Sequence, residues 1–240
     1  MSQVKLGDKN IQFIYQGNEL LYPNTIKDGL VLWYDFKGMK NNDVTKGVTK
    51  DLSGKGNDGV LRNFAYTSDS GYNNGLKFDG VDDTVNLINP LFNQGKESQN
   101  WTATITLKPI NNNTSIEFIL RGINLGIGIR YMDGKNKILN YINNSDKAFL
   151  YSKEGLPLKQ FSEFTCSYDH ISRTVSIYIN GILDTQKVLE EGKEPSGMGY
   201  NMIIGTRRDD YIYSLKVYNR ALTEEEIQQN YQLEKERWGL

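Results

Sequence analysis

The stretch Gly75-Leu-Lys-Phe-Asp-Gly-Val-Asp-Asp-Thr-Val-Asn-Leu87 is the part of this chain that decides its fold. Its apolar residues fall in two short strand-like pieces, and Asp79-Gly80 and Asp82-Asp83 stand between them. Asp and Gly favour turns, because Asp side chains hydrogen-bond the local backbone and both residues tolerate unusual backbone angles. The stretch therefore predicts two strands joined by a tight, carboxylate-rich turn.

Strand patterns continue through the chain from Leu30 onward. Apolar and polar residues alternate with a period of two, and Gly, Asn and Asp break the alternation; Asn180-Gly181 is the best short hairpin signal. Many short strands without helices between them favour an antiparallel sandwich over a parallel α/β sheet. The candidate strands are Leu30–Phe36, Leu76–Phe78, Thr84–Leu87, Trp101–Lys108, Ser115–Arg121, Ile127–Tyr131, Ile138–Ile142, Phe161–Tyr168, Thr174–Ile179 and Tyr211–Tyr218.

One helix is predicted near the C-terminus. Thr223 is a good N-cap, and Glu226 three residues later completes a capping box. The following residues place an apolar stripe on one helix face, so we expect the helix to lie on the sandwich.

The first 25 residues differ from the rest. Val4–Leu6, Ile11–Tyr15 and Leu20–Tyr22 are short strand patterns separated by Gly7-Asp8 and Gly17-Asn18. A meander of this size is hardly stable alone in water. We therefore predict two units, a strand ribbon at residues 1–25 that packs onto the main domain or docks onto a partner chain, and a main domain at residues 26–240.

Composition argues against several classes of protein. Lys and Arg number 28 against 29 Asp and Glu, and no basic stripe indicates nucleic acid or an anionic membrane. No apolar run approaches the roughly 18–20 residues that would cross a bilayer, and the N-terminus lacks the pattern of a secretory signal. The single Cys166 excludes an intrachain disulfide, and its neighbours predict a buried core thiol.

Catalytic motifs are missing from the sequence. Glycan hydrolysis needs a pair of carboxylates at a fixed separation, but no Glu-x-Asp-x-x-Glu pattern lies within a candidate strand. The lone His170 and Cys166 are too few for a usual zinc site, and no Gly-x-Ser-x-Gly occurs. We therefore expect a protein that is not an enzyme.

Calcium is the most plausible ion for this sequence. It takes six to eight hard oxygen ligands, which Asp79, Asp82 and Asp83 offer in one turn and Asn57-Asp58 offer in another. The alternative is that these residues serve only as turn formers. The first three carboxylates are the candidate calcium ligands.

Aromatic, Asn and Arg residues in the predicted loops suggest a saccharide ligand. Aromatic faces stack on sugar rings, while amides and arginines fix the hydroxyl groups. Each candidate has the alternative of an ordinary exposed or core-filling side chain. The candidate ligand-binding residues are Tyr131, Tyr200, Asn201, Arg207 and Arg208.

Four segments together resemble a known superfamily. They are Gly29–Phe36, Asp51–Gly59, Gly75–Leu87 and Tyr213–Thr223. In this order and spacing they resemble the laminin-G-like, concanavalin A-like jelly-roll superfamily, from about Asp28 to the C-terminus. The resemblance implies an all-β, two-layer antiparallel jelly-roll sandwich, here with a small N-terminal ribbon and a C-terminal helix, and it raises the expectation of calcium and of a cell-surface glycan.

A second resemblance lies in the N-terminal ribbon. Ile11–Pro23 resembles a short leader found in many phage and prophage virion proteins, often before a jelly-roll domain. It implies a tail, baseplate or fibre protein located in the virion, assembled in the host cytoplasm, contacting other virion proteins through the ribbon, and homo-oligomeric or part of a larger assembly. The alternatives are a purely architectural virion module and a glycan-degrading hydrolase.

Overall fold

The structure, a computed structural model, describes residues 25–43, 46–89, 91, 100–122, 125–142, 148–192, 202–205 and 207–238. For 142 and 148–149, and for four short strands before residue 25, it describes the backbone alone. The strands in chain order are β1 (Lys5–Leu6), β2 (Lys9–Asn10), β3 (Ile14–Gln16), β4 (Glu19–Tyr22), β5 (Leu30–Asp35), β6 (Val48–Thr49), β7 (Gly59–Arg62), β8 (Gly71–Tyr72), β9 (Leu76–Lys77), β10 (Thr84–Leu87), β11 (Trp101–Pro109), β12 (Glu117–Gly122), β13 (Leu125–Met132), β14 (Lys135–Ile142), β15 (Ala148–Leu156), β16 (Ser162–Asp169), β17 (Thr174–Ile179), β18 (Ile182–Val188), β19 (Ile203–Gly205) and β20 (Asp210–Tyr218).

Two antiparallel sheets form the main domain. The front sheet has the order β15-β14-β13-β12-β19-β10-β7-β6, and the back sheet has the order β18-β17-β16-β11-β20-β9-β8, with β5 also pairing with β20. Strands distant in sequence are neighbours, as β10 beside β19 shows. The predicted all-β, two-layer antiparallel sandwich is confirmed.

Side chains from both sheets meet in one core. On β11, Trp101, Ala103 and Ile105 are buried in it and alternate with Thr102 and Thr104 on the opposite face. A strand places successive side chains on opposite faces, so this alternation puts every second residue between the sheets. Cys166 on β16 is a free, buried thiol in the same core, as predicted.

The C-terminal helix α1 (Glu224–Arg237) covers part of the outer face of the back sheet. Its predicted capping box is present: the Glu226 backbone N–H donates to Thr223 Oγ1 at 3.3 Å, and the Thr223 backbone N–H donates to Glu226 Oε2 at 3.0 Å. Ile227 packs with Tyr218 and Leu222 in a small second core. No helix among the described residues has the length and apolar character needed to span a membrane.

The N-terminal region forms two separate strand pairs, β1 with β2 and β3 with β4. The sequence predicted three strands; β2 escaped prediction because Lys9 and Asn10 are both polar. Gln16 faces Glu19 across the second pair, in agreement with a hairpin at Gly17-Asn18, which lie outside the described residues.

Candidate functional site

A groove of about 630 Å³ lies on the outer face of the front sheet. The strands β10, β12 and β19 form its floor, and the carboxylate-rich turn after β9 forms one wall. Its lining residues are Val81, Asp82, Asp83, Thr84, Ser115, Ile116, Glu117, Phe118, Arg121, Ile203, Gly205 and Arg207.

Strand register determines which side chains reach this groove. Thr84 is paired with Arg62 on one side and Gly205 on the other, and Arg121 is paired with Ile203. Residues paired across strands share a face of the sheet. Because Val85 and its partners lie in the core, these paired residues face outward.

An aromatic ring stands at one end of the groove. Phe118 lies over Gly126, where an added Cβ would come within 2.4 Å of Phe118 Cε1. The Tyr141 ring centroid is 6.1 Å from that of Phe118. Gly126 thus leaves room for a half-buried ring that presents an apolar face beside polar groove residues.

Charged side chains of both signs line the groove. Arg121, Arg207 and Asp82 are exposed, and Glu117 is half-buried. Glu117 Oε1 accepts a hydrogen bond from Asn113 Nδ2 at 3.4 Å. The groove therefore offers both donors and acceptors to a ligand.

The Asp79–Asp83 turn is held by Asp83. This buried carboxylate accepts hydrogen bonds at Oδ2 from Ser70 Oγ at 2.8 Å and from the Asp79 backbone N–H at 2.9 Å. Gly80 has φ +82°, and an added Cβ there would lie 3.2 Å from the backbone N of Asp209. The turn is therefore packed against the segment that carries Arg207.

The three predicted calcium ligands lie together. One oxygen each from Asp79, Asp82 and Asp83 come within 4.8 Å of one another. Burial raises the pKa of Asp83, against the hydrogen bonds from Ser70 and the Asp79 backbone. Asp83 Oδ1 has no hydrogen-bond partner among the described residues. Three carboxylates suit a hard cation such as calcium, and the calcium assignment stays a prediction.

The side chains of Asn57 and Asp58, the second turn considered for calcium, make hydrogen bonds and an ion pair within the protein. Asp58 Oδ1 accepts from the Asp51 backbone N–H at 3.0 Å, and Oδ2 pairs with Lys50. Asn57 is buried and donates to the Val31 carbonyl at 2.8 Å. Asn57 therefore ties the loop to β5, and Asp58 closes the loop onto Lys50 and Asp51.

The predicted ligand-binding residues do not form one site. Arg207 lines the groove, whereas Tyr131 lines a smaller cavity of about 300 Å³ beside Asn136 and Leu156. Tyr200 and Asn201 lie outside the described residues.

Arg208 was predicted to bind a ligand, and the structure corrects this prediction because its side chain is fully buried. Its Nε donates to Asp210 Oδ2 at 2.9 Å, its Nη1 donates to Asn136 Oδ1 at 3.4 Å, and its Nη2 donates to the Asn111 carbonyl. The guanidinium thus joins β14, β20 and the segment after β11 inside the protein and does not face a ligand from solvent.

Phe118 and Arg121 line the groove but were not among the predicted ligand-binding residues. The sequence feature that could have indicated them is the run Leu125-Gly-Ile-Gly-Ile129, in which glycines alternate with core isoleucines. Two glycines on one strand face mark a place where a neighbouring group approaches closely.

Comparison with known proteins identifies the family. Residues 79–228, more than half of the chain, match the family described as the concanavalin A-like lectin/glucanases superfamily. No curated protein matches the chain.

Solved structures agree with this fold. The ligand-binding domain of botulinum neurotoxin serotype D, solved in complex with N-acetylneuraminic acid, has 17% identity and a TM-score of 0.66 over 86% of this chain and 51% of its own. The binding domain of Paraclostridial mosquitocidal protein 1 has 16% identity and a TM-score of 0.62 over 87% and 53%. A Trypanosoma rangeli sialidase has 17% identity and a TM-score of 0.60 over 87% and 33%. This chain thus spans about half or less of these structures, and it belongs to the concanavalin A-like lectin/glucanase superfamily.

Proposed function

We propose that the main domain is a non-enzymatic carbohydrate-binding module and that its groove on the front sheet is the saccharide site. The observation that carries the proposal is the position of Phe118, a half-buried ring at the edge of an open groove lined by hydroxyl, carboxylate and guanidinium groups. Sugar rings stack their apolar face on aromatic rings, and charged side chains hydrogen-bond their hydroxyls strongly.

The relatives support a binding role. The neurotoxin and mosquitocidal structures are named as ligand-binding and binding domains, and one of them holds N-acetylneuraminic acid. The sialidase is an enzyme, but this chain covers a third of it. These names favour glycan binding over hydrolysis.

The test is binding of the full chain to an array of bacterial and host polysaccharides. Phe118→Ala should lower the affinity for any bound glycan by about fivefold or more, because one stacked aromatic ring contributes roughly 1 kcal/mol or more. Tyr131→Ala, in the second cavity, is the matched control and should change little. Loss of binding in Tyr131→Ala alone would move the site to the other cavity.

A hydrolase would be revealed by turnover. Asp82 and Glu117 are the groove carboxylates accessible enough for such a reaction, since Asp83 is buried. Release of reducing ends from a bound polysaccharide, abolished by Glu117→Gln, would contradict a binding module.

We further infer that the protein is a phage virion component of the tail, baseplate or fibre class that attaches the particle to the host cell surface. The support is the leader-like Ile11–Pro23 and the short strand pairs of that region, whose open edges suit strand addition to a partner chain.

Mass spectrometry of purified particles should detect the protein. Deletion of residues 1–23 should leave a folded domain that no longer joins particles; unchanged incorporation would refute this role. Particles that take up the protein while the glycan array stays blank would favour the purely architectural alternative.

A further inference from the structure

Three arginines on or beside the outer face of the front sheet have exposed guanidinium groups. Arg62, Arg121 and Arg207 are exposed, and within the described ranges no hydrogen bond or ion pair holds them. Each other described arginine has an internal partner: Arg130 with the Thr114 carbonyl, Arg173 with Glu191, Arg208 with Asp210, Arg220 with Glu226 and Arg237 with Asp35. Of the three arginines without a partner among the described residues, Arg121 and Arg207 line the groove and Arg62 lies beside it, paired with Thr84.

Two of these arginines are placed by the fold. Arg121 stands across from Ile203 on β19 and from Gly126 on β13, the glycine that underlies the Phe118 ring. Arg207 follows Gly205 by two residues, and the Gly80 turn packs against the backbone beside it. Both side chains line the same groove. An arginine fork matches the planar geometry of a carboxylate or phosphate better than a hydroxyl.

Carboxylates in the groove limit what this anion can be. Asp82, Asp83 and Glu117 line it together with Arg121 and Arg207, so the charge is mixed. A densely charged polyanion would meet repulsion from these three acidic side chains. A saccharide with one anionic group and several hydroxyls meets guanidinium donors for the anion and carboxylate acceptors for the hydroxyls.

We propose that the groove selects a saccharide unit that carries a single anionic substituent, with Arg121 and Arg207 as the residues that read it. This inference rests on the proposed saccharide function of the same groove. The anion is either a sugar carboxylate or a sugar phosphate, because both present two oxygens to a guanidinium fork.

The experiment compares matched charged and neutral probes by titration calorimetry on the full chain. Sialyllactose against lactose tests the carboxylate, and mannose 6-phosphate against mannose tests the phosphate. We expect the charged member of one pair to bind at least about tenfold more tightly than its neutral partner, as charge-assisted bonds are about twice as strong as neutral ones. Increasing salt should weaken only the charged member.

Arginine variants then assign the effect. Arg121→Gln and Arg207→Gln should each lower the affinity for the charged probe about fivefold or more and leave the neutral probe within about twofold. Both should keep the parental melting temperature, because neither guanidinium bonds within the described fold. Arg173→Gln, remote from the groove, is the control.

The outcomes separate the two proposals. Equal affinity for charged and neutral probes, or an equal effect of the arginine variants on both, overturns the anionic selectivity and leaves saccharide binding intact. No binding of any probe or array glycan overturns the saccharide function and the selectivity together.

Discussion

Asp83 decides the local structure around the groove through one oxygen atom. Its Oδ2 takes both the Ser70 hydroxyl and the Asp79 backbone N–H. Asp83→Ala removes this acceptor and leaves two donors unpaired, which should cost roughly 2–4 kcal/mol of unfolding free energy. Asp83→Asn should cost much less, because the amide oxygen can accept both bonds.

Urea denaturation of these variants checks this prediction. The exposed Asp82→Ala is the control and should stay within about 0.5 kcal/mol of the parent. Equal losses in Asp83→Ala and Asp83→Asn would mean that the negative charge, rather than the two hydrogen bonds, holds the turn.

The calcium prediction concerns Asp79, Asp82 and Asp83 and is tested by a separate measurement. An ion that binds only the native state raises the melting temperature. Calcium at millimolar concentration should therefore raise the melting temperature of the parent, and Asp82→Asn should lose this rise. An identical melting temperature in calcium and in chelator would mean that Asp79, Asp82 and Asp83 form the turn and do not bind calcium.

Glu163 makes stability depend on pH. It lies on the back sheet near Lys216 and Glu234, accepts from Thr106 Oγ1 at 3.2 Å, and is fully buried. Burial raises the pKa of its carboxyl from 4.5 to about 8, against the effect of Lys216. The native state thus keeps a proton that the unfolded chain releases, so stability falls as pH rises from about 4.5 to about 8.

Glu163→Gln tests this dependence. Above pH 8 the variant should be more stable than the parent. Each kcal/mol of added unfolding free energy should raise its melting temperature by roughly 2–4 °C. The difference between the two proteins should shrink as pH falls toward 5. Melting curves across this range check the prediction, and parallel curves for parent and variant would contradict it.

At the scale of elements, helix α1 is attached to the back sheet by a buried ion pair. Lys216 Nζ contacts Glu234 Oε1, and both side chains are almost fully buried. Lys216→Met leaves the buried Glu234 carboxylate without its cationic partner and should cost roughly 3–5 kcal/mol of unfolding free energy. Lys216→Met combined with Glu234→Leu should recover much of this loss, since two apolar groups need no partner.

Denaturation of the single and double variants gives the coupling between these residues. Lys235→Met, at a half-buried position on the same helix, is the control. Additive losses in the double variant would mean that the pair does not attach the helix.

Elements with apolar alternation could be predicted, and others could not. The predicted strand Thr174–Ile179 matches β17, and Asn180 and Gly181 have the positive φ of 51° and 77° that the hairpin signal requires. β18 was not predicted because its residues are mostly polar and exposed. β15 was not predicted either; the backbone N–H groups of Lys153 and Glu154 donate to Asp184, a contact between sheets that alternation does not reveal.

The candidate site was harder to predict than the fold for a physical reason. Tyr131 and Arg208 were predicted to bind a ligand because of their residue types. Residue type does not show which strands pair or which side chains share a face of the sheet. Arg208 and Asp210 are two residues apart, the spacing that puts both on one side of an extended chain, and the structure pairs them inside the protein. Phe118 and Arg121 reach the groove through pairing with strands distant in sequence, which the sequence alone does not specify.

At the scale of the whole molecule, the Gly75–Leu87 stretch joins fold and site. It supplies β9 to the back sheet and β10 to the front sheet, so its turn crosses from one layer to the other at the end of the groove. The same turn packs against the segment that carries Arg207. The residues that close the sandwich therefore also shape one wall of the proposed binding site.

The most direct test of a saccharide site in this groove is NMR chemical-shift mapping of the isotope-labelled protein during titration with sialyllactose and mannose 6-phosphate. We expect the largest shifts at the backbone amides of Phe118, Arg121, Gly126 and Gly205, with Tyr131 and Gly134 unaffected. Shifts confined to the cavity of Tyr131, or no shifts with any glycan retained on the array, would contradict the assignment of the groove as the binding site.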